Sequence, residues 1–453
     1  MSLEIKPTIG VRSLTPVALG TALVLVTYVT PVATIPATAA DLGADPAARA
    51  WILSSMSVGL AAALLATGVL GDRFGRRRML SVGLATMAVG ALVCSVAMGP
   101  WLFVAARVVE GVGGAAVLAC GLAVLAHDYV GPARLHATSV WGASVGLGIA
   151  VGALLSALLD FGSGWRATYV VVGVAGLLLL WPTLRLVGES AAERPRRIDV
   201  PGLVLLVVAI TLAVSALTQG RDGIDLPTVV LGVVAALAFA GFALVERRVP
   251  EPLVDPELLR APRFRAATIG SLTLGAGTIG LASFVPTLAQ VGLGASLWTA
   301  SWLAVAWSGT SVVTAYLVRH LPRPVEGGRA VAAVFVLVAA GQLIGYGGEL
   351  WRIAVSMVVA GIGTGVLNAV LGRDAVASVP PDRAAMGSGA NNTARYLGAA
   401  VGITLFVVLA THAGATLVDG WNVALLASTA ITLIGAAAIA VTGRASAGGH
   451  VRR

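Results

Sequence analysis

Residues 51–99 read WILSSMSVGLAAALLATGVLGDRFGRRRMLSVGLATMAVGALVCSVAMG. Two long apolar runs, 50–71 and 79–98, flank a short connection that holds Asp72, Arg73 and Arg76–Arg78. A transmembrane helix needs about 20 predominantly apolar residues, and each run is long enough. The stretch reads as a helical hairpin through a bilayer, joined by a basic turn.

The same pattern extends in both directions. Spans are expected near 14–38, 50–71, 79–98, 101–126, 138–159, 167–187, 199–218, 227–245, 264–289, 297–318, 329–347, 352–372, 388–411 and 422–443. Continuous runs such as Val171–Leu180 do not alternate apolar with polar residues, so helices are expected and a barrel is not. Composition agrees. Only 11% of the 453 residues are charged and 57% are hydrophobic, with a mean hydropathy of +0.92. A soluble fold of this length has too much surface to cover with so few charges. High hydrophobicity argues against disorder, and two cysteines against a disulfide scaffold. No short signal peptide is expected, because the first apolar run is long and lacks a small-residue cleavage site.

The net charge of +9 comes from 29 Arg and Lys6. With the N-terminus inside, 24 of these 30 residues fall on cytoplasmic segments and four, Arg49, Arg166, Arg221 and Arg352, on outer loops. The positive-inside rule then places both termini in the cytoplasm of a cell inner (plasma) membrane protein. Basic charge that borders a membrane gives no reason to expect nucleic acid. Cys94 and Cys120 lie in apolar stretches and read as small core residues. The five histidines lack ligand spacing, so neither metal nor cofactor is expected.

Sliding the chain over itself gives matches at an offset of 250: Pro36 with Pro286, Gly111 with Gly361, Gly113 with Gly363, Gly148 with Gly398 and Gly152 with Gly402. Thr67–Arg77 also aligns with Thr314–Pro324 at an offset of 247. Spans 1–6 thus correspond to spans 9–14. A shift of eight helices preserves orientation, so the halves are parallel repeats. The expected division is 1–187, a six-helix bundle; 188–263, an inserted pair with linkers; and 264–453, a second six-helix bundle with a short tail. Two such bundles suit alternating access about a midplane site.

The connection Gly68-Val-Leu-Gly71-Asp72-Arg73-Phe74-Gly75-Arg76-Arg77-Arg78 resembles the G-x-x-x-D-R-x-G-R-R signature of the major facilitator superfamily. Arg107-Val-Val-Glu110-Gly111-Val-Gly113 resembles its R-x-x-Q-G-x-G motif, with Glu110 in place of Gln. Gly142-x-x-x-Gly146-Leu147-Gly148-x-x-x-Gly152 is similar to the antiporter motif of drug exporters, with Leu147 where Pro is usual. Glu246-Arg-Arg-Val-Pro-Glu-Pro-Leu253 and Asn391-Asn-Thr-Ala-Arg395-Tyr-Leu-Gly398 resemble the fourteen-helix drug:proton antiporters. The resemblance covers essentially the whole chain. It implies an all-α integral membrane protein of the major facilitator fold, with 14 transmembrane helices as two parallel six-helix repeats plus an inserted helix pair. It implies no enzyme, but an exporter of small hydrophobic or amphipathic compounds, driven by protons. A carrier of one endogenous metabolite or lipid is the alternative.

The resemblance also implies a gate at Gly68, Asp72, Arg73, Gly75 and Arg76, and close helix packing at Gly142, Gly146, Gly148 and Gly152. The family often carries an Asp in helix 1; here Thr27 stands there, which argues against a specialist for lipophilic cations. Glu110 is the only acidic residue expected well inside the membrane, and Arg107 lies three residues away on the same helical face. Burial favours the neutral acid and the guanidinium favours the carboxylate, so the pair either couples protons to transport or braces span 4. Arg395, expected near the cytoplasmic end of span 13, either receives an anionic substrate group or, more simply, satisfies helix-end carbonyls. Thr27, Tyr28, Thr30, Thr34, Trp141, Phe284, Gln290, Trp298, Trp302, Trp307, Asn368, Asn391, Arg395 and Tyr396 are candidate cavity residues. The expected partners are a small-molecule substrate, protons and the lipid bilayer, with the chain acting as a monomer.

Overall fold

The computed structural model describes residues 10–192, 199–220, 223, 225–249, 252, 258, 261–321 and 325–447. Lys6, Arg194, Arg196, Arg197, Arg221, Arg260, Arg323, Arg452 and Arg453 lie outside them, as do residues 250, 251 and 253 of the Glu246 motif and residues 322–324 of the second-half repeat. The Pro36 side chain is likewise outside the description.

Among the described residues there is no strand, and fourteen helices are long and apolar enough to cross a membrane. They are α1 (Gly10–Asp41), α2 (Pro46–Phe74), α3 (Arg76–Val96), α4 (Pro100–Asp128), α5 (Gly131–Ser163), α6 (Arg166–Leu186), α7 (Val200–Gln219) and α8 (Leu226–Glu246). Then come α9 (Pro262–Gly292), α10 (Leu297–Leu317), α11 (Gly327–Ile344), α12 (Leu350–Ala377), α13 (Ala384–His412) and α14 (Leu417–Ala447). Asp45, Asp199, Asp225 and Ser296 cap the starts of α2, α7, α8 and α10 by accepting from backbone N–H groups. Those first-turn donors have no partner inside the helix. The ends near Arg76, Arg263, Arg319 and Arg373 form one basic face: Arg76 reaches the Pro381 carbonyl just ahead of α13, Arg263 and Arg373 share Asp374, and Arg319 and Arg373 border one small cavity.

Packing follows the repeat. In the first six helices α4 packs on α2 and α3, α5 on α1, and α6 on α3. In the last six α12 packs on α10 and α11, α13 on α9, and α14 on α11. The matched glycines make matched crossings. Gly148 lies against Ala22 and Gly152 against Val26, while Gly398 lies against Leu272 and Gly402 against Ala276, each pair again 250 apart. Without side chains at these points the backbones approach closely, which is how helices associate where lipid is as apolar as their own surfaces. The fold is therefore two parallel six-helix repeats with α7 and α8 inserted.

Three features go beyond the sequence expectation. The α2–α3 connection is shorter than the spans 50–71 and 79–98 imply: α2 runs to Phe74, α3 starts at Arg76, and Gly75 alone turns the chain, at φ 113°. Only glycine adopts that backbone without strain. The expected span 264–289 is not one regular helix. Wide, π-type turns occupy Leu274–Ile279 and Leu288–Gly292, with a break at Ser283 and Phe284 ahead of Pro286. Pro286 removes one ladder N–H, and such turns recur at functional sites. Finally, α7 packs on both α2 and α13, and Thr404 Oγ1 donates to the Leu217 carbonyl (3.0 Å). It occupies a seam between the halves, whereas Ala235 is the only buried residue of α8 among those described.

Candidate functional site

On the basic face the two halves are clamped together. Asp72 accepts from the backbone N–H groups of Ala385 (3.1 Å) and Met386 (2.9 Å), in the first turn of α13. Its Oδ1 also accepts from Arg76 Nε and Nη2 at 2.9 and 2.7 Å. Arg76 Nη2 in turn donates to the Pro381 carbonyl (2.8 Å). A carboxylate on a helix N-terminus meets unpaired donors and the positive end of the helix dipole. Both side chains are buried. Gly68 lies flat on the Ala385 backbone and Gly389 on Leu64, so α2 and α13 touch along this end. Arg73 is exposed, with its guanidinium 5.4 Å from the Phe74 ring.

Glu189 completes the clamp, and nothing in the motif points to it. It accepts from the Arg77 N–H (3.0 Å) at the start of α3, and its carboxylate fills the space beside Gly75. The pseudo-equivalent corner joins the end of α10 to the start of α5. There Arg319, in the repeat position of Asp72, contacts His136 and lies 3.8 Å over the Tyr316 ring. The glycines of α5 divide between two tasks: Gly142 faces Ala369 on α12 and Gly146 faces Ser308 on α10, across the halves, while Gly148 and Gly152 face α1 within one.

At the opposite face the halves part. A cavity of about 560 Å³ is lined by the ends of α1, α2, α7, α9 and α13, among them Tyr28, Ser57, Thr218, Phe284 and Thr287. Its rim residues Arg49, Thr411 and His412 are exposed. A second cavity, about 90 Å³, is bordered by Tyr28, Val32, Pro286, Gln290 and Trp307. A third, about 30 Å³, lies deeper between Tyr28, Val145, Trp307, Asn368, Arg395 and Tyr396. Tyr28 borders all three and lies edge-on to Tyr396, with ring centroids 5.6 Å apart.

Several residues expected in the cavity stand elsewhere. Thr27, Thr30 and Thr34 are buried, and their hydroxyls donate to the carbonyls of Leu23, Val26 and Thr30, one turn back along α1. The face of α1 that meets the cavities carries Tyr28, Val29, Val32 and Ile35 instead. Trp302 is 59% exposed and Trp298 45%, so neither is a cavity wall. Trp302 lies five residues from Trp307, which is about 140° around a helix. Trp141 is buried against Gly372, and Asn391 accepts from Ser271 Oγ (2.6 Å) on α9. Phe284, Gln290, Trp307, Asn368, Arg395 and Tyr396 do line cavities. Arg395 is also not near a helix end: it lies eleven residues past Ala384, about 16 Å into a helix of 29 residues.

Arg107 and Glu110 form a closed pair inside the first half. Arg107 Nη1 donates to Glu110 Oε2 (2.7 Å) and to the Thr27 carbonyl (2.9 Å), and both side chains are fully buried. The guanidinium lies 5.9 Å from the Tyr169 ring. Glu110 Oε1 has no hydrogen-bond partner. A proton on Oε1 would therefore leave the contact through Oε2 standing. Among the described residues no group of three His, Cys, Asp or Glu has metal-site geometry.

Comparisons with known proteins give the same architecture a lineage. Residues 17–403 match the model of the Major Facilitator Superfamily. The chain is 30% identical over 429 residues to the probable actinorhodin transporter of Streptomyces coelicolor, covering 90% of this chain and 73% of that one. It is 27% identical to the multidrug resistance protein Stp of Mycobacterium tuberculosis, with 81% and 70% covered. The crystal structure of the human organic anion transporter MFSD10 superposes with a TM-score of 0.67 at 18% identity, over 96% of this chain and all of that one. At that identity the likeness speaks to the fold alone. With fourteen spanning helices, a clamp at one face and a cavity between the halves at the other, the chain belongs to the major facilitator superfamily and is a multi-pass membrane transporter.

Proposed function

We propose that this transporter is a proton-coupled exporter of small hydrophobic or amphipathic compounds. It works by alternating access between residues 1–187 and 264–453, with 188–263 as an inserted helix pair and its linkers. The observation that carries this reading is the asymmetry of one seam: it is clamped at the basic face by Asp72 and open at the other through a cavity of about 560 Å³. Exchanging clamp and opening between faces would carry a bound molecule across. The excess of Arg on the clamped face supports a cytoplasmic assignment in the cell inner membrane, so the opening faces outside. Relatives named for an antibiotic and for multidrug resistance support export. One chain holds both halves of the pathway, and we take it to act as a monomer.

Glu110 is the proposed proton carrier. A charge at membrane depth costs at least roughly 2.5–3.5 kcal/mol and is retained there for function. The route to the substrate is short: Arg107 holds the Thr27 carbonyl, and the next residue, Tyr28, borders all three cavities described above. One proton moving through 100 mV and one pH unit supplies roughly 3.7 kcal/mol, about a 500-fold gradient of a neutral compound. Proteoliposomes test this directly. An imposed pH gradient should drive accumulation of a neutral hydrophobic dye, and a protonophore should abolish it; accumulation indifferent to the protonophore would overturn proton coupling.

The two tryptophans of α10 separate cavity from lipid face. Trp307→Ala should weaken dye binding by about tenfold, as expected from the loss of one well-packed aromatic contact in a cavity. Trp302→Ala, on the exposed side, should stay within about twofold. Fluorescence titration of the purified variants checks both.

A further inference from the structure

The charge of the substrate is written in the cavity walls. Among the described residues, no Asp or Glu borders any of the three cavities. Among the described residues that border the two inner cavities, the charged one is Arg395, which is 2% exposed at mid-helix. Its Nε and Nη2 are buried without a hydrogen-bond partner. A guanidinium so placed is costly unless an anion meets it, and its planar fork fits a carboxylate through two parallel hydrogen bonds.

The volumes divide the task. The cavity at Arg395, about 30 Å³, has room for a head group but no larger body, since one water needs roughly 10–15 Å³ by the same measure. Asn368, Ser308 and Ser311 stand beside it as further polar groups. Tyr28, Tyr396 and Trp307 provide aromatic surface at its edge, and Tyr28 and Trp307 continue into the cavity of about 90 Å³. Beyond Tyr28 lies the largest cavity, with Arg49 at its rim. The repeat is broken at this point only on one side: Val145, the counterpart of Arg395, borders the same small cavity and offers it no charge.

We propose that the preferred substrates are amphipathic organic carboxylates, with the carboxylate on Arg395 and an aromatic or apolar body in the adjoining cavities. This deepens the exporter reading and rests on it. The test uses three dansyl probes that differ in the charge of the appended group: dansylglycine, dansylglycinamide and dansylcadaverine. Binding to the purified full chain is read by the rise in dansyl fluorescence. Dansylglycine should bind about tenfold to a hundredfold more tightly than the amide, the range for a hydrogen-bonded buried charge. Arg395→Gln should erase that preference, and its helical circular dichroism and single elution peak in detergent report that the variant is folded. Arg395→Lys should retain part of it, and Arg395→Glu should turn preference toward dansylcadaverine. Equal binding of acid and amide by the wild type would overturn the proposal without any variant, as would a preference that survives Arg395→Gln. Export of the amide from proteoliposomes tests the exporter reading separately. Export with no acid preference would sink this inference alone, and acid-selective binding without export would sink only the exporter reading.

Discussion

Asp72→Asn is expected to unlock the basic face and to lower export at least tenfold. The carboxylate holds four donors at once: two backbone N–H groups at the start of α13 and two guanidinium nitrogens of Arg76. An amide of the same shape keeps one acceptor oxygen and turns an NH₂ group toward the remaining donors, so at least one buried contact becomes donor against donor. Arg76 is left without its counter-charge. Breaking one side of a buried ion pair costs about 3–5 kcal/mol, and each 1.4 kcal/mol is a factor of ten. The population clamped at the basic face should fall by about 100-fold or more. Ser388 reports this: it is buried behind the clamp, where its hydroxyl donates to the Leu118 carbonyl (3.2 Å). With Cys94→Ser, Cys120→Ser and Ser388→Cys as parent, a membrane-impermeant maleimide applied to the basic face should label far faster once Asp72→Asn is added. Unchanged labelling together with unchanged export would show that this contact does not gate transport.

Glu110→Gln is expected to end accumulation driven by the proton gradient, from as much as about 500-fold under about 100 mV and one pH unit to none. The single variant also strands Arg107 as a buried charge, and that alone is expected to destabilise by about 3–5 kcal/mol. Arg107→Gln/Glu110→Gln removes both charges and separates the two roles of the pair. If Glu110 carries the proton, the double variant folds and exchanges substrate across the membrane at equal pH, yet a pH gradient still drives no accumulation. If the pair only braces α4, the double variant regains gradient-driven accumulation. The comparison is made on the same proteoliposomes, with exchange as the control for folding.

Much of this protein is legible without coordinates because the bilayer imposes a simple rule. Every backbone group must be satisfied within the helix, so length and hydropathy suffice to find fourteen helices, and glycine register suffices to find the repeat. The pairing of Arg107 with Glu110 is also readable, since residues three apart share a helical face. The opposite placement of Trp302 and Trp307 was readable too, from the angle between them. Which of the two met the cavity was not.

The limit has one physical source. In a soluble helix the apolar face is the buried face; in a membrane both the lipid side and the protein side are apolar, so periodicity no longer tells them apart. The threonines of α1 therefore looked like cavity walls, although their hydroxyls are spent on α1's own carbonyls and Tyr28 takes the wall. Sequence by itself determined the class, the helix count, the repeat and the scarcity of charge inside the membrane. Tertiary structure alone decided what those few charges face. Asp72 meets donors more than 300 residues away, Glu110 is enclosed within one half, and Arg395 is turned into the space between both. Partners that far apart in the chain leave no local pattern, because only the crossing of packed helices brings them within hydrogen-bonding distance.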